Sequence, residues 1–590
     1  MLYETETLEN TETLEAAELY VSPASFSQQR LWLLDRLSPG LATYNVPLGV
    51  RLAGRLRADL LARALRDLVA RHESLRTAFG EEEGEPVQII HPELTLALPR
   101  VDLSALATLP TPRAEAEALR EARREAARPF DLARAPLFRT VLFRLAAEEH
   151  LLLLSFHHIV TDAWSLGIFL RELFAAYAAH AAGQRPDLPE LPLQYADFAA
   201  WQRQWLAGEV LEQKLRPWRR RLAGAPTDLA LPTDRPRPKA GNAAGVALEF
   251  SLPGTLGASL AEVGRAAGAT PFMTLLAAFF ALLYRHTGQE DLLVGAPVAN
   301  RNRSEIEGVV GLFVNTLVLR GDLAGDPSFS TLLTRVRTVL LEALAHEDLP
   351  LEKLVEDLRP ERRADRAPLF QVVLALQPVS LPAGETAGLR KHLVQLHSGT
   401  TKFDLSLQLI EEKTGLAGFW EYPTALFDRT TILRLAHHWE SLLAAVAADP
   451  GRRIGDIPLL EPAERHQLAA EWNDTATGYP RQATLPELFA AQVARTPDAP
   501  ALLAPSGPVT YRELDQAARR LARRLGAVAL ETPVGVCLER GPEMVTAFLA
   551  TVFAGGAYLP LDPAYPEERL ALMVEDAAVR TVLTRERLRG

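Results

Sequence analysis

Residues 151–165 read LLLLSFHHIVTDAWS. Four consecutive leucines followed by Ser155 and Phe156 are too apolar on both faces for a half-solvated strand and fit one buried within a sheet. Two adjacent histidines leave that strand. Beyond Ser165, the apolar residues Leu166, Phe169, Leu170, Leu173 and Phe174 recur at helical spacing, which predicts a long helix over 165–182. A buried strand, a short loop and a long helix make an α/β unit. The polar groups on such a loop are carried by rigid elements, where catalytic groups tend to be placed. In an extended segment His157 and His158 point to opposite sides, one toward the interior and one toward a cleft. Asp162 is placed to order the loop by pairing with an arginine. A bare His-His pair is ordinarily structural, so the surrounding chain has to decide.

The α/β pattern extends in both directions. Upstream, helices are expected at 27–36, 57–72 and 114–127, the last strongly charged, with strands at 46–52 and 137–145. These define a first lobe, 21–182. Residues 183–245 hold a helix and a proline-rich crossover with Pro226, Pro232, Pro236 and Pro238. A second lobe, 246–454, repeats the pattern, with strands at 246–252, 292–296, 314–320, 370–377 and 403–411 and helices at 255–267, 271–286, 328–345, 351–358 and 430–448. The lobes share an echo: RAPLFRTVL at 134–142 and RAPLFQVVL at 366–374. Such an echo is what a duplicated lobe would leave behind. Residues 455–483 read as a linker, and a further unit starts near 484.

Composition narrows the function classes. The 590 residues are 48% apolar and 23% charged, the balance of a globular protein of several folding units. A net charge of −11 argues against a nucleic-acid partner. The lone Cys537 excludes a disulfide framework and zinc-type spacing, so no metal site is expected. Residues 1–20 carry six Glu and no Lys or Arg, unlike a secretory signal, and read as a frayed leader or a docking segment. No apolar run approaches the roughly 20 residues of a membrane helix. The expectation is a cytoplasmic monomer with no membrane association.

His157-His158-x-x-x-Asp162 resembles the HHxxxDG signature of nonribosomal peptide synthetase condensation domains, which share a fold with chloramphenicol acetyltransferase. Further stretches resemble that family's other motifs in order: SFSQQRLWLL from Ser25, RHESLRTAF from Arg71, YADFAAW from Tyr195, GLFVNTLVLR from Gly311, HEDLPLE from His346 and DRAPL from Asp365. Near the C-terminus, VTYREL from Val509 and AGGAYLPLD from Ala554 resemble the first two adenylation motifs, while the Gly/Ser/Thr-rich phosphate loop with its lysine is absent. The resemblance implies an α/β protein of two chloramphenicol-acetyltransferase-like lobes forming a pseudo-dimer, followed over 484–590 by a partial α/β adenylation N-terminal subdomain without ATP chemistry of its own.

The implied activity is aminolysis of a thioester. A donor acyl or peptidyl chain on an upstream carrier protein's phosphopantetheine arm would be attacked by the amine of an aminoacyl group on a downstream carrier, the arms entering a tunnel between the lobes from opposite ends. No cofactor would be bound by this chain itself, and the rest of the adenylation domain would be a further partner. His158 is the implied catalytic group, as base or as an acceptor orienting the amine. Asp162 is implied to pair with Arg301, His157 to hold the loop, and Trp164 to pack. Asn315, Thr400 and Ser406 are candidates to line the tunnel, Asn315 equally for a strand or turn role, and Arg30 and Arg76 to anchor the lobe. Ala163 stands where the family has glycine: a positive φ there would cost alanine about 1 kcal/mol, an ordinary conformation nothing. The motif wording resembles domains that join an L donor to an L acceptor. A starter domain using fatty acyl-CoA is the runner-up; a non-catalytic recruitment platform and a small-molecule acyltransferase are the alternatives outside that class.

Overall fold

The computed structural model describes residues 19–108, 113–238, 244–361, 366–377, 381–412 and 415–588; most of the acidic leader and Asp365 lie outside them. The first half of the chain forms β1 (Tyr20–Pro23), α1 (Phe26–Leu37), β2 (Asn45–Ala53), α2 (Ala58–Arg71), β3 (Thr77–Glu82), β4 (Glu85–Ile90), β5 (Arg100–Asp102), α3 (Arg113–Ala126), β6 (Phe138–Ala146), β7 (Glu149–His157) and α4 (Ala163–Ala181), then α5 (Tyr195–Trp205) and α6 (Gly208–Leu222). The leucine-rich β7 lies between β2 and β6, antiparallel to both. Its side chains alternate between two cores. Leu152, Leu154 and Phe156 pack under α2 and α4, while Leu151 and Leu153 pack under α3, whose Ala114, Ala118 and Ala122 present a small-residue face to the sheet. Phe156 stacks on Phe138 at 5.2 Å between centroids and meets Phe169 of α4 edge-on at 5.2 Å. Each such fully buried side chain contributes roughly 1.5–3 kcal/mol, which fixes the end of β7 against the start of α4.

The second half forms β8 (Gly245–Pro253), α7 (Gly254–Ala266), α8 (Pro271–Thr287), β9 (Asp291–Val298), α9 (Ser304–Glu307), β10 (Asn315–Asp322), α10 (Phe329–Leu344), α11 (Leu351–Leu358), β11 (Val372–Gln377), β12 (Arg390–Val394), β13 (Leu405–Glu412), β14 (Gly415–Pro423), α12 (Arg429–Ala448) and α13 (Pro462–His466). Among the described residues its sheet runs β10-β9-β11-β13-β14-β8. The buried α8 starts at a Thr270 capping box with Pro271 in its first turn and stops at Gly288, whose φ of 71° suits glycine. Its Phe279 packs against Trp420 and Trp439, which close the core beneath it. Among the described residues no single helix is long and apolar enough to cross a membrane; α7 and α8 pass such a test only as a pair bent by 99°.

The two lobes match in architecture. β2-β7-β6 and β8-β14-β13 are both antiparallel triplets, with α4 leaving β7 and α12 leaving β14. Aspartates stand at the N-cap of both exit helices, Asp162 and Asp428. The nine-residue echo does not follow this match. Its first copy leads into β6, antiparallel to β7, whereas its second leads into β11, which runs parallel to β13 and β9. The likeness of the lobes therefore rests on topology, not on that string. The first lobe's sheet also borrows a strand: β12, from the second half of the chain, pairs antiparallel with β2 from Arg390↔Ala53 to Val394↔Gly49.

Residues 455–466, read from sequence as the start of a linker, pack on the first unit. Arg285 donates to Ile457 O at 2.5 Å, and His438 lies 3.0 Å from Glu464. A second compact unit begins at Gln467. It contains α14 (Leu485–Arg495), a hairpin of β15 (Pro500–Ala504) and β16 (Gly507–Thr510), α15 (Tyr511–Leu525), and a parallel sheet of β17 (Pro533–Cys537) between β18 (Ala557–Pro560) and β19 (Thr581–Thr584), with α16 (Pro542–Phe553) and α17 (Glu567–Asp576). Leu514 and Ala518 of α15 and Leu549 of α16 form its small core.

Candidate active site

The strand carrying the histidines ends at His157, and His158 opens a one-turn 3-10 helix, His158–Val160. Strict alternation therefore stops one residue earlier than the extended reading expects, and both rings border the same cavity. They differ in exposure. His157 is 3% exposed, edge-on to Phe130 at 6.1 Å and tilted against Tyr44 at 6.4 Å, and its Nδ1 accepts the Ile159 N–H at 3.2 Å. His158 is half-buried. The turn is held by Ile159 and Val160, both buried in a cluster with Tyr195, Phe198 and Phe313.

His158 Nδ1 lies 2.7 Å from Thr161 O. A carbonyl only accepts, so Nδ1 carries the proton and Nε2 is left as the unprotonated nitrogen of a neutral ring. Burial, and secondarily the positive charge of Lys402, pushes the His158 pKa down to about 4. Burial, His158 and Lys402, in that order, lower His157 to about 3. Both imidazoles are thus neutral at physiological pH.

Asp162 is the N-cap of α4. Its Oδ1 accepts the Ser165 N–H at 2.8 Å and lies 3.4 Å from Arg301; its Oδ2 accepts the backbone N–H groups of Phe313 at 2.9 Å and Val314 at 3.1 Å. The shorter contacts of Arg301 go elsewhere: to Ser165 Oγ at 2.7 Å and to the carbonyls of Ile306 at 2.5 Å and Val309 at 2.7 Å. Arg301 also lies 4.0 Å over the Phe313 ring. Ser165 Oγ donates to Gly311 O at 2.8 Å and accepts Gly311 N–H at 3.1 Å. A Cβ at Gly311 would fall 2.0 Å from the Tyr195 ring, so this close approach requires glycine. The hub of Ser165, Gly311 and Tyr195 joins the two halves of the chain; sequence reading passed over it, although each residue lies in or beside a quoted motif.

Ala163 is the first residue of α4 and is not among the positive-φ residues. The glycine of the family signature is therefore not needed here for backbone conformation. Trp164 is 39% exposed rather than packed in a core, and its Nε1 donates to Glu307 O at 3.1 Å.

A cavity of about 2600 Å³ runs between the lobes. Its wall includes His157, His158, Asp162, Ala163, Trp164, Asn315, Thr400 and Ser406, while Arg301 sits behind it. The Asn315 amide is fully engaged: Nδ2 donates to Glu347 O at 2.7 Å and Leu349 O at 2.6 Å, and Oδ1 accepts Leu351 N–H at 3.0 Å. It fixes the turn before α11 and thereby the position of Glu352, which pairs with Arg30 at 3.3 Å. Arg76 bonds His91 O and Glu73. Thr400 Oγ1 bonds Ser398, whereas Ser406 Oγ is buried without a partner among the described residues. Lys402, in the same 400–406 segment that the resemblance marks as possible tunnel wall, also lines the cavity, its ammonium 4.9 Å from the Tyr44 ring centroid. Among the described residues no group of three or more His, Cys, Asp or Glu could hold a metal.

Comparison with known proteins gives a consistent result. Residues 19–469 match the condensation-domain family and residues 489–589 the AMP-binding enzyme family. The chain is 48% identical over 575 residues to a linear gramicidin synthase of Brevibacillus parabrevis, covering 96% of this chain and 11% of that protein. A four-domain nonribosomal peptide synthetase bound to AMP and glycine shares the fold at a TM-score of 0.84 and 23% identity, over 98% of this chain and 44% of that one. The first condensation domain of the calcium-dependent antibiotic synthetase, in complex with a substrate analogue, aligns at a TM-score of 0.64 and 25% identity, over 75% of this chain and 99% of that domain.

Proposed function

The chain belongs to the condensation-domain family, acyltransferases that form amide bonds in nonribosomal peptide synthesis, and carries part of an AMP-binding domain; on that premise we propose that His158 serves the amide-forming step in the cavity between the lobes. The donor is an acyl or peptidyl thioester on an upstream carrier's phosphopantetheine arm, and the acceptor is the amine of a downstream carrier-bound aminoacyl group. The wording SFSQQRLW from Ser25 and YNVP from Tyr44 favours L donors and L acceptors. The AMP-binding part carries no phosphate loop in this span and is assigned no ATP chemistry.

The observation that supports this reading is the Nδ1 contact to Thr161 O, which leaves His158 Nε2 as an acceptor on a ring that borders the cavity. The acceptor amine attacks the thioester carbonyl, forming the C–N bond while the carbonyl π pair moves to oxygen. Nε2 accepts a hydrogen bond from the amine N–H and receives the proton the nitrogen must lose. Collapse restores C=O, breaks C–S and releases a thiolate, which takes up that proton. Placement of two tethered reactants can supply effective molarities on the order of 10⁵–10⁸ M, and a positioned base about 10²–10⁴-fold more. Asp162 and Arg301 keep the loop in place and take no part in proton transfer.

The test is amide formation with donor- and acceptor-loaded carriers, read by mass spectrometry. His158→Ala is expected to slow it by at least about 10²-fold. A rate near that of the parent would remove His158 from the chemistry; a parent chain that forms no amide with either carrier-bound or CoA-bound donors would favour a recruitment platform.

A further inference from the structure

Lys402 enters the cavity from the segment between β12 and β13, on the opposite lobe from the histidines. Tyr44 links the two sides. Its ring carries the Lys402 ammonium at 4.9 Å and tilts against His157 at 6.4 Å, while its carbonyl accepts the His158 N–H at 2.8 Å. Lys402 is close enough for its charge to bear on both imidazoles. Its side chain is exposed, and the surface it exposes is cavity wall. Among the described residues no carboxylate lies within ion-pair distance of its ammonium; Glu421, whose charge favours the ammonium from farther away, is bonded to His397 at 2.9 Å. The ammonium thus faces the cavity with no protein carboxylate to neutralise it. In a cavity where negative charge develops, it is in the right place to be useful.

Resting on the function proposed above, we infer that Lys402 is a catalytic residue whose ammonium donates to the donor carbonyl oxygen as that oxygen becomes an oxyanion. In the tetrahedral species the former carbonyl π pair resides on oxygen, beside the ammonium. His158, carried by the other lobe on the same cavity, holds the attacking nitrogen. When C–S breaks, the pair returns to re-form C=O and Lys402 keeps its proton, so nothing is consumed. The assignment explains why a lysine is tolerated where it also disfavours imidazolium: a neutral His158 and a charged Lys402 are complementary to an amine nucleophile and an oxyanion.

Removing one donor of this kind typically costs about 10²–10³ in turnover. K402M should therefore lower single-turnover amide formation by about 10²-fold while leaving the melting temperature and carrier KM near those of the parent. K402R retains a cation and should recover the rate to within about tenfold of the parent. A second readout needs no loss of charge. Burial, opposed by Glu421 and reinforced by Arg30, lowers the Lys402 pKa to about 8. The parent rate should then fall as pH rises beyond about 8, and K402R should abolish that fall. The charged and titratable groups facing Lys402 are Tyr44, Arg30 of α1, Glu421 of β14 and the two imidazoles, and all are unchanged in K402R. A K402M rate within threefold of the parent, or an alkaline fall that persists in K402R, overturns the assignment. An inactive parent would instead overturn the function on which it rests.

Discussion

Asp162 and Arg301 face each other at 3.4 Å with both side chains buried, yet each makes shorter contacts to other groups. The carboxylate works as a helix cap and as an anchor for the backbone at Phe313 and Val314, and the guanidinium as a clamp on the 306–309 turn. The pair is the middle of a network that ties α4 to the second lobe. Asp162→Ala leaves a buried guanidinium and three orphaned N–H groups, and should destabilise the first unit by about 3–5 kcal/mol in urea unfolding. Asp162→Ala/Arg301→Ala should cost at least about 1 kcal/mol less than the sum of the single changes, since both charges leave together. Strict additivity would mean the two act separately.

Acid should weaken the fold across a defined window. His157 and His158 have folded pKa values of about 3 and about 4, below the unfolded value near 6.5. Between these values the unfolded chain binds more protons than the folded one, so stability is present above about pH 6.5 and is lost as pH falls toward 4. Unfolding at a series of pH values measures the slope, which His157→Asn should reduce.

The same shifts concern rate. His158 stays neutral down to about pH 4, so the acid limb of amide formation should follow the acceptor amine, which titrates at about 8 when unperturbed. Two acceptors of different basicity should show limbs displaced by their own difference. A limb fixed near 6.5 for both would mean that His158 titrates as an unburied imidazole.

Ala163→Gly should leave the rate within about twofold of the parent and should not raise the melting temperature, because residue 163 already has helical geometry and glycine loses more freedom on folding. A large gain in activity would point to a steric role for the alanine methyl group in the cavity.

Asn315→Ala removes the contacts that hold Glu347 O, Leu349 O and the first N–H of α11. A loss of about 2–3 kcal/mol is expected in chemical denaturation, together with a rise in KM as Glu352 loses its set position opposite Arg30. An effect on KM without loss of stability would make Asn315 a direct substrate contact.

Sequence reading located most elements because apolar periodicity is a local signal. The expected helix 57–72 is observed as Ala58–Arg71, and 271–286 as Pro271–Thr287. What it missed depends on partners distant in the chain. Arg390–Val394 has little periodicity of its own and becomes a strand only against β2. Asp162 preceding an apolar run is a helix-start signal, and it would have placed the start of α4 at Ala163 rather than at Ser165. The hub at Ser165 depends on Gly311 and Tyr195 coming together, which no spacing in the sequence reveals. Lys402 lies within the segment 400–406, which the family resemblance marks as possible tunnel wall, but nothing local distinguishes it there from its neighbours Thr400 and Ser406.

The ladder between β12 and β2 has a mechanical consequence. A chain cut within the proline-rich crossover would not give two self-sufficient bodies, since the upstream piece would present β2 as a bare edge inviting aggregation. Any breathing that admits bulky cargo must bend around this stitch rather than part the clamshell. Lys402 follows the stitch closely along the backbone, so its distance from the imidazoles opposite should stay nearly constant while the walls farther out swing.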